Sequence, residues 1–81
     1  MSKLPRDVTG ERLVKALART GYRVVRQTGS HVRLKGGASG QAPVTVPLHR
    51  AIKIGTLSAI LDDVAAQTGM TIEQVLEKLD L

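Results

Sequence analysis

The sequence predicts an α+β fold, a two-layer sandwich in which helices cover one face of a three-stranded antiparallel sheet. Two observations indicate this fold. Apolar residues recur at helical spacing near both ends of the chain, whereas the middle holds short β-branched runs separated by glycine and proline. With 81 residues, the chain is expected to form a single domain over residues 1–81.

The first helix is predicted to begin after Thr9, a favoured N-cap residue. It is predicted to end at Thr20-Gly21, because glycine suits the position that follows a helix. Between these limits, Leu13, Val14 and Leu17 form an apolar stripe that can pack on a sheet.

A β-hairpin is predicted next. Residues 22–27 are rich in β-branched and aromatic types, and residues 29–35 alternate polar and apolar side chains. A turn at Thr28-Gly29 or at Gly29-Ser30 would join the two strands. Either turn makes them antiparallel neighbours.

The third predicted strand is Val44-Thr45-Val46, which lies between Pro43 and Pro47. Proline lacks the amide donor that a central strand needs, so the bracketing prolines fit an edge strand or the end of a strand. The glycine-rich residues 36–41 before it are predicted to form a flexible loop.

A second long helix is predicted after an irregular connection over residues 48–53. Leu57, Ile60, Leu61 and Val64 recur at i, i+3, i+4 and i+7, which is the spacing of one helix face. The helix is expected to end near Thr68-Gly69.

A short extra helix is predicted at the C-terminus. Thr71 and Gln74 are spaced as a capping box, and an apolar stripe follows them. The predicted order is therefore α-β-β-β-α with a short extra C-terminal helix.

The second strand is expected to present its polar residues on the open face of the sheet. Side chains alternate along a strand, so Val32 and Leu34 would face the helices while His31, Arg33 and Lys35 face solvent, about 6.5 to 7 Å apart. A slip of one residue would bury these polar groups, which favours this orientation. The spacing suits the backbone of a polyanion.

The chain is basic over its first part and acidic at its end. Residues 1–53 hold eleven Lys or Arg against Asp7 and Glu11, a net charge of +9. Residues 54–81 hold Lys78 against five acidic residues, a net charge of −4. This asymmetry indicates a polyanionic partner for the first part. Six cations group around the predicted sheet: Arg23, Arg26, Arg33, Lys35, Arg50 and Lys53.

An exposed histidine among cations can carry out base chemistry. Neighbouring positive charge favours the neutral imidazole of His31, which can remove the proton of an RNA 2′-hydroxyl. The resulting oxygen attacks the adjacent phosphodiester, while Arg33, Lys35 or Arg50 stabilises the developing charge. This route needs no metal and no other cofactor. His49 is a possible second acid or base if it approaches His31.

Two other interpretations stay open on the residues alone. The chain can be a noncatalytic RNA-binding module in which His31 is an ordinary polar residue of a hairpin and His49 packs the following loop. It can also be a protein-interaction domain whose basic face serves an acidic partner. Tyr22 is the single aromatic residue, so RNA contacts are expected to be electrostatic rather than base-stacking.

Several classes of site and location are disfavoured by composition. The chain has no cysteine, which excludes disulfides, thiolate zinc sites and a cysteine nucleophile. No apolar run has the length of a signal peptide or of a membrane span, so a cytoplasmic protein is expected.

The sequence resembles the HicA toxin family, also called YcfA-like, over about residues 4–79. The resemblance rests on an ordered series of segments: Leu4-Pro5-Arg6, Thr9-Gly10, Gly21-Tyr22, Arg26-Gln27, Gly29-Ser30-His31-Val32, Val44-Thr45-Val46-Pro47-Leu48-His49, Lys53, Gly55-Thr56-Leu57 and Ile60-Leu61. The chain departs from the family at Ile54, where relatives often have proline, and in a longer loop after the second strand.

The resemblance implies a fold similar to double-stranded-RNA-binding domains and a metal-independent mRNA interferase that arrests translation and growth. It puts the catalytic role on His31, with Gly29 and Ser30 beside it, and puts His49 in a second family element. It also implies a HicB-type antitoxin that covers the active face. Together with the charge pattern, this predicts an RNA-phosphate site of Arg26, Arg33, Lys35, Arg50 and Lys53.

Overall fold

A computed structural model describes residues 4–36 and 42–81 of the chain. The described residues form α1 (Gly10–Arg19), β1 (Arg23–Thr28), β2 (His31–Lys35), β3 (Val44–Pro47), α2 (Ile54–Thr68) and α3 (Ile72–Leu79). The predicted α+β fold and its element order are confirmed. Residues 37–41 of the predicted loop lie outside the described residues.

The α1 and α3 helices begin after their predicted N-cap residues, and α1 and α2 end at the predicted Thr-Gly pairs. The Thr9 hydroxyl accepts a hydrogen bond from the Arg12 amide at 3.0 Å, and Gly21 after α1 has a φ of +101°. Thr71 and Gln74 form the predicted capping box of α3. The α2 helix begins at Ile54 without a side-chain cap at its N-terminus.

The three strands form one antiparallel sheet in the order β1-β2-β3, which puts β3 at an edge, one of the positions that its prolines fit. Thr28 pairs with His31, so Gly29-Ser30 is the turn of the hairpin and the alternative at Thr28-Gly29 is wrong. Gly29 has a φ of +56°, which glycine adopts without steric cost.

The core lies between the helices and β2–β3. Val32 and Leu34 of β2 are buried, as are Val44 and Val46 of β3. Arg33, between the first two, and Thr45, between the second two, are exposed. Each fully buried aliphatic side chain stabilises the fold by about 1.5 to 3 kcal/mol. The helices complete the core with leucine and valine side chains, chiefly Leu13, Leu17, Leu57, Leu61, Val64, Val75 and Leu79. The predicted register of β2 is therefore confirmed.

The connection after β3 is held against the start of α1 by backbone contacts. The Gly10 amide donates to the His49 carbonyl at 2.9 Å, and the Ile52 amide donates to the Val8 carbonyl at 2.8 Å. A Cβ atom on Gly10 would collide with the Pro47 carbonyl oxygen. A side chain at this position therefore cannot fit without movement of β3 or α1.

Candidate functional site: the open face of the sheet

Cross-strand pairing arranges the polar side chains of the open face in rows. His31 pairs with Thr28 on one side and with Pro47 on the other. Two residues further along β2, Arg33 lies between Arg26 and Thr45. Residues that oppose each other in an antiparallel sheet point to the same face, so these rows bring the side chains of three strands together.

Five of these side chains line one concavity of about 430 Å³: Arg26, Thr28, His31, Arg33 and Thr45. Three of them, Arg26, His31 and Arg33, are among the predicted site residues. The concavity is open to solvent, and its lining combines two guanidinium groups, two hydroxyls and an imidazole. Such a set donates hydrogen bonds to an anion and offers a single group that can take up a proton.

His31 stands at this concavity with its ring available to a ligand. The residue is exposed, as its position in β2 predicts. Within residues 4–36 and 42–81, no hydrogen bond or ion pair engages its side chain. Both ring nitrogens can therefore meet a bound molecule.

Arg26 and Arg33 face each other across β1 and β2 without a carboxylate to offset them. Like charges directly opposite in a sheet destabilise it. Among the described residues, the one ion pair joins Lys15 to Glu11 on α1 at 3.2 Å. A bound anion would turn this unfavourable pair into two charge-assisted hydrogen-bond donors.

The remaining predicted residues lie outside the lining of the concavity. Lys35 is on the same face, two residues beyond Arg33 along β2, and it opposes Arg23. His49, Arg50 and Lys53 are exposed residues of the irregular connection between β3 and α2.

The local backbone contacts of this region involve His49 and the two residues of the hairpin turn. The backbone carbonyl of His49 accepts from Gly10, as described above. Gly29 and Ser30 form the turn that leads into His31, and the Ser30 carbonyl accepts from the Leu48 amide at 2.6 Å.

Thr28 and Thr45 are lining residues that the sequence did not single out. Thr45 lies in the predicted third strand, but the sequence attaches no role to it. Thr28 is predicted as a possible turn residue, whereas it is the last residue of β1 and the cross-strand partner of His31. Only the Gly29-Ser30 turn places Thr28 opposite His31, so the missing signal is the position of the two-residue turn in the sequence.

The described segments contain no group of three or more His, Cys, Asp or Glu side chains arranged to hold a metal ion. In the same segments, no helix combines the length and apolar character required to cross a membrane.

The fold and the site define a small α+β domain whose open sheet face carries exposed cations and presents an exposed histidine among arginines. The family model described as HicA toxin of bacterial toxin-antitoxin matches residues 10–70, from the start of α1 through the residue after the C-cap of α2. The chain belongs to the HicA toxin family, and the predicted resemblance is confirmed. No curated protein and no solved structure gave a significant match.

Proposed function

We propose that this HicA-family chain is a cytoplasmic endoribonuclease that cleaves mRNA and so arrests translation and growth. The observation that supports this proposal best is the concavity in which His31 lies with Arg26 and Arg33, with no carboxylate among its lining residues. Membership of a toxin family also supports the proposal, because RNA cleavage is one way in which a toxin can arrest growth.

In the proposed reaction, a neutral ring nitrogen of His31 takes the proton of a 2′-hydroxyl. The 2′-oxygen forms a bond to the adjacent phosphorus while the bond from phosphorus to the 5′-oxygen breaks. The products are a 2′,3′-cyclic phosphate and a 5′-hydroxyl. Arg26 and Arg33 stabilise the negative charge that develops on the phosphoryl oxygens. The route uses side chains and no metal ion.

The leaving 5′-oxygen must receive a proton. His49 is the candidate for this role because it follows Pro47, the cross-strand partner of His31, by two residues. Lys35, Arg50 and Lys53 are proposed to bind phosphates outside the concavity, since all three are exposed cations near the open face or on the connection that follows it.

The proposed protein partner is a HicB-type antitoxin that covers the open face. Its acidic groups would replace RNA phosphates on Arg26 and Arg33, so inhibition and substrate binding would compete for the same charges. Family membership supports a toxin–antitoxin pair, and the charge of the face favours an acidic partner.

A defined transcript incubated with purified protein in EDTA tests the proposal. Wild type is expected to cleave the RNA, and His31→Ala is expected to lose about 10²- to 10⁴-fold in rate because it lacks the general base. An all-DNA strand of the same sequence should remain whole, since it has no 2′-hydroxyl. Circular dichroism and thermal melting of His31→Ala should match wild type, because the residue is exposed.

The same experiment separates the other two functions. RNA that binds but stays whole with both proteins would identify a noncatalytic RNA-binding module. Negligible RNA binding at physiological salt would identify a protein-interaction domain.

A further inference from the structure

Two more cations lie on the open face beyond the concavity. Arg23 of β1 opposes Lys35 of β2, next along the hairpin from the Arg26 and Arg33 pair. Both side chains are exposed, and neither lines the concavity that contains His31. A phosphate in contact with His31 would therefore leave this second pair of cations free.

A β-bulge places Arg23 and Arg26 on one face. In a regular strand, residues three apart point to opposite faces. The pairing of β1 with β2 shifts between Val24 and Arg26, so Val25 is the extra residue of a bulge. The shift lets Arg23 oppose Lys35 while Arg26 opposes Arg33, which makes two adjacent rows of paired cations.

Neither row is neutralised within the sheet. The sequence has no Asp or Glu between Glu11 and Asp62, a stretch that contains all three strands. Like charges that oppose each other weaken strand pairing, so each row favours a bound anion. The rows are two residues apart along β2, at Arg33 and Lys35, which puts them about 6.5 to 7 Å apart. This separation is comparable to the interval between successive phosphates of an extended RNA strand.

We infer that Arg23 and Lys35 form a second phosphate subsite, which binds the phosphate next to the one cleaved. The subsite rests on the proposed function, because that function puts the scissile phosphate beside His31. The RNA strand then follows the direction of the hairpin. The ligand class is an extended single strand with at least two phosphates, bound without selection for base.

The test uses 2′-O-methyl ligands, which keep the phosphates of RNA but cannot be cleaved because the 2′-oxygen carries no proton. One ligand is a dinucleoside monophosphate with a single phosphate, and the other is an oligonucleotide with several. The Arg23→Ala/Lys35→Ala variant is expected to bind the oligonucleotide roughly tenfold more weakly and to lower the slope of log K against log salt by about 0.7. Its affinity for the dinucleoside monophosphate should be unchanged.

The matched control is Arg12→Ala/Lys78→Ala, which removes one arginine and one lysine from exposed positions on the helices. The control is expected to change neither affinity and to keep the wild-type salt slope. An equal loss for both ligands, an equal loss in the control, or an unchanged oligonucleotide slope would overturn the subsite.

Cleavage assays with unmodified RNA separate the two proposals. The Arg23→Ala variant, which keeps Lys35, should lose kcat/KM on the oligonucleotide and keep it on the dinucleoside monophosphate. If the binding pattern holds but wild type cleaves neither substrate, the second subsite stands and the proposed ribonuclease activity is wrong.

Discussion

β1 and β2 are neighbours in one sheet, yet the helices cover only one of them. Val32 and Leu34 of β2 are 3% and 0% exposed, whereas Val24 and Val25 of β1 are 50% and 44% exposed. β3 resembles β2, since Val44 and Val46 are buried. The helix layer therefore covers two strands and leaves β1 as an exposed shelf.

This difference separates stability from binding within a sheet of three strands. Buried side chains of β2 and β3 stabilise the fold because they are removed from water. β1 contributes little to the core and instead supplies Arg26 and Thr28 to the concavity. Substitutions in β1 are thus expected to alter ligand binding at a small cost in stability, and substitutions on the covered face of β2 to do the reverse.

The largest expected effect is that of Leu34→Ala, which leaves a cavity at a fully buried position. The free energy of unfolding should fall by about 2 to 5 kcal/mol. Val24→Ala is the matched control, because Val24 opposes Leu34 across the hairpin but is half exposed. Its cost should stay within about 0.5 kcal/mol, as for other exposed sites. Urea unfolding of both variants measures the contrast, and similar costs would show that β1 is not a shelf.

Gly10→Ala should destabilise the protein by about 1 to 3 kcal/mol, the usual range for overpacking. The added Cβ would collide with the carbonyl of Pro47, where β3 leaves the sheet. Gly55→Ala is the control, since a Cβ there meets nothing within 4 Å in the first turn of α2. It should be neutral or stabilise the helix by up to about 1 kcal/mol. Equal melting temperatures for the two variants would contradict the close approach of Gly10 to the Pro47 carbonyl.

The sequence predicted the covered part of the molecule better than the shelf. Helical periodicity and capping residues determine where each helix lies, and alternation along β2 determines which side chains face it. Whether the helices also reach β1 depends on how they pack, which the pattern of β1 does not contain. Val24 and Val25 look like core residues in the sequence, and nothing in it indicates the bulge.

The same limit applies to the candidate site. Strand alternation predicts His31 and Arg33 for the site, and charge near the predicted sheet adds Arg26. His49, Arg50 and Lys53 are predicted from their place just after the third strand. An irregular connection has no periodicity from which to predict the direction of their side chains. The structure leaves these three residues outside the lining of the concavity.

Tyr22 connects the start of β1 to α2, so its substitution is expected to have an intermediate effect on the free energy of unfolding. It precedes β1, is 4% exposed, and donates a hydrogen bond to Gln67 of α2 at 2.9 Å. Gln67 in turn donates to the Ala42 carbonyl before β3 at 2.8 Å. Tyr22→Phe should reduce the free energy of unfolding by about 0.5 to 1.5 kcal/mol, measured by urea titration at neutral pH.

The difference in stability between wild type and Tyr22→Phe is also expected to depend on pH. Burial, and secondarily the carboxylate of Asp63, raises the pKa of the Tyr22 hydroxyl above its usual value. A raised pKa in the folded state gives stability that is present below about pH 10 and is lost as the pH rises through the folded-state pKa. Wild type should therefore lose more stability than Tyr22→Phe on alkaline titration. Parallel curves for the two proteins would contradict the burial of the Tyr22 hydroxyl in the folded state.

The smallest expected effect on stability is a gain. Arg26→Gln removes one of two opposed guanidinium groups, and the relief should stabilise the sheet by about 0.2 to 1 kcal/mol in low salt. The gain should shrink as salt screens the pair. Arg12→Gln, on the exposed surface of α1, provides a control of equal charge change and should leave stability nearly unchanged. RNA affinity should fall for Arg26→Gln only. If that variant were instead less stable than wild type, Arg26 would serve the fold, and the assignment of β1 to binding rather than stability would fail.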